Sequence, residues 1–584
     1  MKKSTIATLS MVCSLLMATG MTVYSEPAYA VLKIKRTAQG QLGAMQVNPY
    51  GYAPLSAVID LNSKSPTDVT VTVRGKGKNG VPVSYSVGQQ TMLTHNGIPV
   101  FGLYGDYANK VDLEYKLDGK KINETYTIVT QPVVGVTLDG ATHAFPQVTP
   151  VKVENDFKER LYWVNHLPHN SNNDLITRVG GGAFEWDRWS VNFITDTQGE
   201  VRWYLDHNKI HDIYDARKRG VLMGVHQVDN GDIIFGQGQR YYRMDLMGRM
   251  IMERDLPAGF IDFSHDMQEM PNGNYLIRAA KKNYVRPDGK VVHTIRDHIV
   301  EVDPYGQVVD YWDLNTILDP MRDDMLKAMD ARAVCINVDD DAGPIDVEPD
   351  APFGDVPGVG IGRNWAHVNS VDYDASDDSI IISPRHQTTA VKIGRDKKVK
   401  WILGPSAGWK GELATKLLTP VDAKGKKLDC SPQGLCEDTD FDFGYAQHTS
   451  FWVPEKDTLT IFDNGDGRHL EQPAMPTMKY SRAVEYRINE DDMTVEQIWE
   501  YGKERGYEFY SPITSVTEYQ ADKDSMMVYF ASANLMEHSI TKPKLVELEY
   551  GTQDVKVELH IESTVKRQPS YRTTVIRPTA AFSK

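Results

Sequence analysis

The sequence predicts an all-β protein: a six-bladed β-propeller preceded by a small N-terminal β-sandwich-like domain. Three observations point there. A strand–turn–strand unit with Asp, Asn or Gly at its turn recurs six times, polar and apolar residues alternate with period two around each turn, and helical periodicity is scarce. The units begin at Val191 (VNFITDTQGEVRWY), Tyr242 (YRMDLMGRMIME), Val300 (VEVDPYGQVVDYW), Val391 (VKIGRDKKVKW), Val484 (VEYRINEDDMTVEQIW) and Leu545 (LVELEYGTQDVKVEL). Successive starts are 51, 58, 91, 93 and 61 residues apart, against about 40–50 for a four-stranded blade. The surplus is assigned to inserted loops, one rich in Asp and Pro over 319–363 and one over 404–443 that carries two cysteines.

A second hairpin with Asn or Asp at its tip precedes most units, as in Asp229-Asn230-Gly231-Asp232 and Pro271-Asn272-Gly273-Asn274. Two hairpins make one blade, and six units a ring. An array of separate β-sandwich domains is the competing architecture, because its strands would be spaced as evenly. Residues 31–150 lack the repeat but alternate around Gly, Asn and Asp turns in VIDLNSKSPTDVTVTVRGKG and VDLEYKLDGKKINETYTIV, which predicts a separate antiparallel β domain, with 151–584 as the propeller.

With 584 residues, 41% hydrophobic and 24% charged, the chain has the balance of a folded globular protein, which excludes disorder and a fibrous fold. A net charge of −15, from 64 basic and 79 acidic side chains, argues against nucleic acid or an anionic membrane surface as the main partner. Residues 1–30 read as a cleaved secretory signal: Lys2 and Lys3, an apolar run from about Ile6 to Met17, and Ala28-Tyr29-Ala30 at the cleavage site. That run is too short for a span of about 20 residues, and no later stretch approaches that length, so no membrane insertion is expected. Cleavage removes Lys2, Lys3 and Glu26 and leaves a mature chain at −16.

Cys13 leaves with the signal, so Cys335, Cys430 and Cys436 remain and at least one is unpaired within the chain. Cys430 and Cys436 flank the turn-rich spacer Ser-Pro-Gln-Gly-Leu and are expected to form a disulfide in an oxidising compartment, with disulfide-forming machinery as a partner during export. Two free thiols are the alternative. A zinc set is disfavoured, since no nearby Cys or His completes one.

Aligned by the turns of the first hairpins, His265, His367, His448 and Thr514 all fall about eight residues before the tip, in FSHDMQEMPNGN, WAHVNSVDYDAS, QHTSFWVPEKD and ITSVTEYQADKD. Equivalent positions in different blades lie at equivalent radii, so three imidazoles should converge at one end of the central channel. Met223 takes the same place in another repeat, and His226, three residues off, is left outside the set. Asn369 lies two residues beyond His367 and faces the same side on a strand; Arg385 in IIISPRHQ supplies a cation near the same mouth. A single His is more often structural, but three at one repeat position with Arg and Asn point to a site. Imidazole serves as metal ligand, base or nucleophile. The adjacent cation opposes a bound metal and suits a tetrahedral oxyanion such as sulfate or phosphate.

At these residues the sequence resembles the bacterial arylsulfate sulfotransferases, exported enzymes that move a sulfuryl group between phenols without a nucleotide donor. The resemblance runs through the signal, the front domain, the propeller, the Cys-x5-Cys pair and the GYAQHTSFW segment. It implies a ping-pong reaction in which His448 becomes a transient sulfohistidine, with His265, His367 and Arg385 as the other catalytic residues and Asn369, Thr514 and Tyr571 binding substrate. The implied partners are an aryl sulfate donor and a phenolic acceptor, with no metal and no cofactor. A periplasmic location and a homodimer follow from the same resemblance.

Tyr104, Tyr107, Tyr204 and Tyr571 are candidate aromatic walls for a flat phenol, although each is more often explained by simple packing. No GxxxxGK[ST] phosphate loop is present. Three rival functions remain at this level: a non-catalytic binding propeller, a metal- or quinone-dependent propeller enzyme, and a sulfatase. Asp339 to Asp341 lack the spacing of a calcium loop and read as a solvated acidic loop.

Overall fold

In the computed structural model the described residues are 39–584 apart from 139–140, 168–189, 213–214, 219, 286–288, 290, 293, 295, 323–363, 472–478, 538, 565 and 567. The expected signal at 1–30, Cys335 and the acidic stretch Asp339 to Asp341 lie outside them. Strands dominate the rest.

All six predicted units occur as antiparallel pairs. Val191–Asp196 pairs with Val201–Tyr204, Arg240–Met244 with Met250–Asp255, His298–Val302 with Val308–Asp313, Ala390–Gly394 with Val399–Leu403, Arg482–Asn489 with Thr494–Tyr501, and Lys544–Glu549 with Val555–Glu562. The turn chemistry repeats. Asp196, Asp245 and Asp303 each accept the backbone N–H groups two and four residues ahead, at 2.8–3.1 Å. Gly199, Gly248 and Gly306 then supply the positive φ that closes each loop.

Each unit is the outer half of a sheet. In the second sheet Met223–Gln227 and Ile233–Gln237 lie inside it; in the third, Met267–Glu269 and Tyr275–Lys281; in the fourth, Val368–Asp374 and Ser379–Pro384; in the fifth, His448–Val453 and Thr458–Asp463; in the sixth, Val516–Gln520 and Ser525–Phe530. The first sheet is completed from both ends of the repeat region, by Leu161–His166 and by the C-terminal strand Ser570–Val575. Gln147–Val153 adds an outermost strand to the sixth. Inner strands of successive sheets neighbour one another: Ser570–Val575 lies beside Met223–Gln227, which lies beside Met267–Glu269, and the series runs on through Val368–Asp374, His448–Val453 and Val516–Gln520 back to Ser570–Val575.

Burial explains the sequence pattern. Strands with neighbours on both faces, such as Ser379–Pro384 and Ser525–Phe530, are buried throughout and read as continuous apolar runs, whereas Ala108–Leu117 of the front domain alternates buried with exposed. That domain has a three-stranded sheet (Met45–Val47, Ser56–Asp60, Gly97–Phe101) and a four-stranded one (Val83–Val87, Thr67–Val73, Ala108–Leu117, Lys120–Val129). The repeat region grips it twice. Buried Arg202 donates to the carbonyls of Gly102 and Val81 at 2.6–2.9 Å, with Asp196 at 2.9 Å balancing its charge. From the C-terminal helix Pro578–Phe582, Phe582 enters the same core beside Tyr85 and Phe101.

Cys430 and Cys436 are bonded, as expected. Within their loop the Gln433 carbonyl accepts the Tyr445 hydroxyl at 2.9 Å. The crosslinked insert thereby holds the segment three residues ahead of His448.

Candidate active site

The residues aligned in sequence also coincide in space. Met223 and His448 open their inner strands, His367 immediately precedes Val368–Asp374, and His265 and Thr514 stand two residues before Met267–Glu269 and Val516–Gln520. These starts are kinked: pairing register shifts between Met223 and His226, Val368 and Val371, and His448 and Ser450. Positive φ is taken by Gly224 (63°), His265 (73°), His367 (47°), Thr449 (72°) and Thr514 (58°). For a non-glycine residue that conformation costs on the order of 1 kcal/mol or more, and such bulges re-aim side chains.

The result is one buried cluster. The His265 ring lies 5.1 Å from that of His367 and 5.9 Å from that of His448, and Tyr571 closes the group at 6.0 Å from His265 and 5.4 Å from His448. The Tyr571 hydroxyl donates to the His265 carbonyl at 3.3 Å. Tyr104, Tyr107 and Tyr204 are elsewhere: Tyr104 stacks on Arg202 and meets Tyr107 edge-on, and Tyr204 packs on Phe145. They belong to the front-domain contact, and of the four tyrosines Tyr571 alone joins the imidazoles.

Neighbours set the tautomers. His448 Nδ1 faces the Ser515 carbonyl at 3.1 Å; a carbonyl only accepts, so Nδ1 carries the hydrogen and Nε2 the lone pair. His367 is the reverse, because its Nδ1 faces two donors, Arg296 Nη1 at 3.2 Å and Asn364 Nδ2 at 2.8 Å. His265 Nδ1 lies 2.6 Å from Ser264 Oγ, which also takes a hydrogen bond from Arg278 Nη2. The His265 backbone N–H donates to Met223 Sδ at 3.0 Å.

Burial holds all three imidazoles well below the ordinary 6.5, reinforced by arginine charge: chiefly Arg296 for His265 and His367, and Arg572 then Arg385 for His448. They are neutral at pH 7. Burial likewise keeps the Tyr571 phenol protonated.

Arg385 begins the turn after Ser379–Pro384. It donates to the carbonyls of Ala446 and of Pro512, the latter at 2.9 Å, and faces Asp466 at 3.3 Å. Asn369 donates to the Gln447 carbonyl at 2.7 Å and accepts from the Thr449 N–H at 3.3 Å, bracketing His448 on both sides. Thr514 spends its hydroxyl on the Ile513 carbonyl at 2.6 Å, while its own carbonyl accepts from Asn464 at 3.1 Å. His226 lies outside the cluster but reaches it indirectly, through Nε2 to Asp266 at 2.8 Å.

Four residues escaped the sequence reading. His386 sits 4.5 Å from His367 ring to ring, and Arg278, Arg296 and Arg572 surround the imidazoles. Arg572 adjoins Tyr571 and His386 adjoins Arg385, a proximity signal that was available. Arg278 and Arg296 follow no repeat register. Among the described residues no group of three or more His, Cys, Asp and Glu is arranged to hold a metal ion.

Fold and site together define an all-β group-transfer enzyme built around neutral imidazoles and fixed cations. The chain belongs to the arylsulfotransferase family: residues 147–572 match arylsulfotransferase (ASST) and residues 44–131 match the arylsulfotransferase Ig-like domain. It is 52% identical over 563 residues to the arylsulfate sulfotransferase AssT of Escherichia coli O6:H1 and 51% identical over 563 residues to that of Lelliottia amnigena, in each case across 93% of this chain and 94% of the relative. A solved protein of unknown function from Bacteroides caccae aligns at a TM-score of 0.36 and 11% identity, over 72% of this chain and 99% of that one, too loosely to carry an argument.

Proposed function

We propose that this protein transfers a sulfuryl group from a phenolic sulfate ester to another phenol by a ping-pong route through a sulfohistidine at His448. The observation that carries the proposal is the His448 Nδ1–H bond to the Ser515 carbonyl, which leaves Nε2 as a buried, neutral nucleophile among fixed positive charges. In the first half-reaction the Nε2 lone pair attacks sulfur, the N–S bond forms and the S–O(aryl) bond breaks. The phenolate leaves with its oxygen held by a hydrogen bond from neutral His265 and takes its proton from solvent on release. In the second, the acceptor enters as a phenolate held by the same hydrogen bond, its oxygen attacks sulfur, and the N–S bond breaks.

Charge builds on the equatorial sulfuryl oxygens and on the departing oxygen, as in phosphoryl transfer. His367, Arg385 and Asn369 meet the former in this reading, and Thr514 and Tyr571 wall the site. Asn369 and Arg385 also hold the backbone around His448, so the nucleophile keeps its aim without reorganising. Transfer rather than hydrolysis requires a site that keeps water from the adduct.

A six-bladed propeller is the architecture we assign to the six sheets; the circular succession of inner strands supports it, with the C-terminal strand completing the first blade. Export to an oxidising compartment such as the periplasm is supported by the bonded Cys430–Cys436 pair.

The test is incubation with a chromogenic aryl sulfate, with and without added phenol, followed by mass analysis of the peptide containing His448. Phenol-dependent turnover and an acid-labile sulfuryl adduct on that peptide are expected. His448→Ala should abolish both; normal transfer by that variant rejects the assignment.

A further inference from the structure

Four buried guanidiniums surround the imidazoles, and three already have a carboxylate. Arg278 faces Asp262 at 3.3 Å, Arg385 faces Asp466 at 3.3 Å and Arg572 faces Asp266 at 3.1 Å. Arg296 differs. It is 3% exposed, yet among the described residues it forms no ion pair, and its one side-chain hydrogen bond runs from Nη1 to His367 Nδ1. Its Nε is buried without an acceptor. Its backbone takes φ +52°, a strained conformation for a residue with a side chain.

A guanidinium, unlike a lysine ammonium, does not escape burial by shedding its proton. An uncompensated charge in a dry interior is among the costliest features a fold can keep. After burial, Arg296 is the strongest influence depressing both His265 and His367, which places its charge beside both rings. A cation with no carboxylate among the described residues and a spare donor beside His367 has the chemistry of a receptor for one negative charge.

We infer that Arg296 is the anion-holding residue for the donor's sulfuryl group, supplying the counter-charge that no carboxylate among the described residues provides and donating to a sulfuryl oxygen. This rests on the sulfuryl-transfer reading above and deepens it. A sulfate monoester brings one negative charge, and that charge stays on the sulfuryl group when sulfur is bonded to His448, so Arg296 is neutralised through both half-reactions. The site thereby selects donors that carry a charged sulfuryl group over neutral esters of the same size. Asn364, which also donates to His367 Nδ1, keeps that ring in place when Arg296 turns to the anion.

The experiment measures thermal unfolding of the full chain, wild type, Arg296→Gln and Arg296→Lys, in sodium sulfate and in sodium chloride of equal ionic strength, alongside donor KM. Sulfate should raise the wild-type melting temperature above the chloride control, and Arg296→Gln should lose that increment while melting no lower than wild type without sulfate. Arg296→Lys should recover part of it. Donor KM and the inhibition constant of inorganic sulfate should rise by about tenfold or more in Arg296→Gln, as for loss of a charge-assisted contact. Equal sulfate stabilisation of wild type and Arg296→Gln overturns the inference. So does a melting temperature far below wild type in chloride, which would make Arg296 a structural support for His367. A wild type stabilised by sulfate through Arg296 that transfers nothing leaves the anion site standing and removes the transfer reading. Normal transfer with unchanged donor KM in Arg296→Gln does the opposite.

Discussion

The second and fifth sheets begin their inner strands in the same way and put opposite chemistry there. Met223 is followed by Gly224 at φ 63°, and His448 by Thr449 at φ 72°, so the backbone kink is shared. In the second sheet glycine takes the conformation at little steric cost, and the Met223 thioether serves only as an acceptor for the His265 N–H. In the fifth, a β-branched residue is forced into it, and the flanking backbone is tied down by Asn369 and, through the disulfide-bonded insert, by Tyr445. The repeat supplies a kink that brings a side chain into the common cluster; strain and extra ties accumulate around His448, the nucleophile of the proposed reaction.

The largest effect expected from this comparison, after loss of the nucleophile, is at His265. His265→Ala should lower transfer by roughly a hundredfold or more with a poor leaving phenol, and by much less with an acidic nitrophenol whose departing oxygen carries less charge. Equal losses across leaving groups would show that His265 supports structure and does not stabilise the departing oxygen. The pH profile comes next. Because His448, His265 and His367 are all depressed below 6.5 by burial and arginine charge, their neutral forms persist as the pH falls through 6.5. The rate of sulfohistidine formation in single-turnover measurements should therefore stay level there and decline only at lower pH. A decline with an apparent pKa near 6.5 would place these rings in contact with water. The smallest effect is at Met223: Met223→Leu keeps the volume and removes a weak acceptor, so calorimetry should show less than about 1.5 kcal/mol of destabilisation with little change in rate. A loss as large as that of His265→Ala would mean that the second sheet contributes to the chemistry.

Much of the architecture was legible because period-two alternation and Asp-Gly turns are local consequences of backbone geometry. Asp196, Asp245 and Asp303 show the link, each closing its own turn by hydrogen bonds only two and four residues long. His265, His367 and His448 were legible because equal register in successive repeated sheets brings side chains to one place. Tyr104, Tyr107 and Tyr204 pack, the more frequent role for each: Tyr104 and Tyr107 precede the repeat, Tyr204 ends the first repeat unit, and an apolar ring is satisfied by any core, here that of the front-domain contact. Arg278 and Arg296 were invisible, since no pattern marks an arginine that burial leaves charged.

The amino-acid sequence alone determined the strands, the turns, the cysteine pair and the common height at which three imidazoles stand, because each depends on neighbours a few residues away or on a repeated spacing. Only the tertiary structure decided which nitrogen of His448 carries the hydrogen, and which arginines around the imidazoles find a carboxylate among the described residues. Those outcomes depend on contacts between chain segments far apart in sequence, such as Ser515 with His448 and Arg296 with His367, and on water being excluded from the space between them.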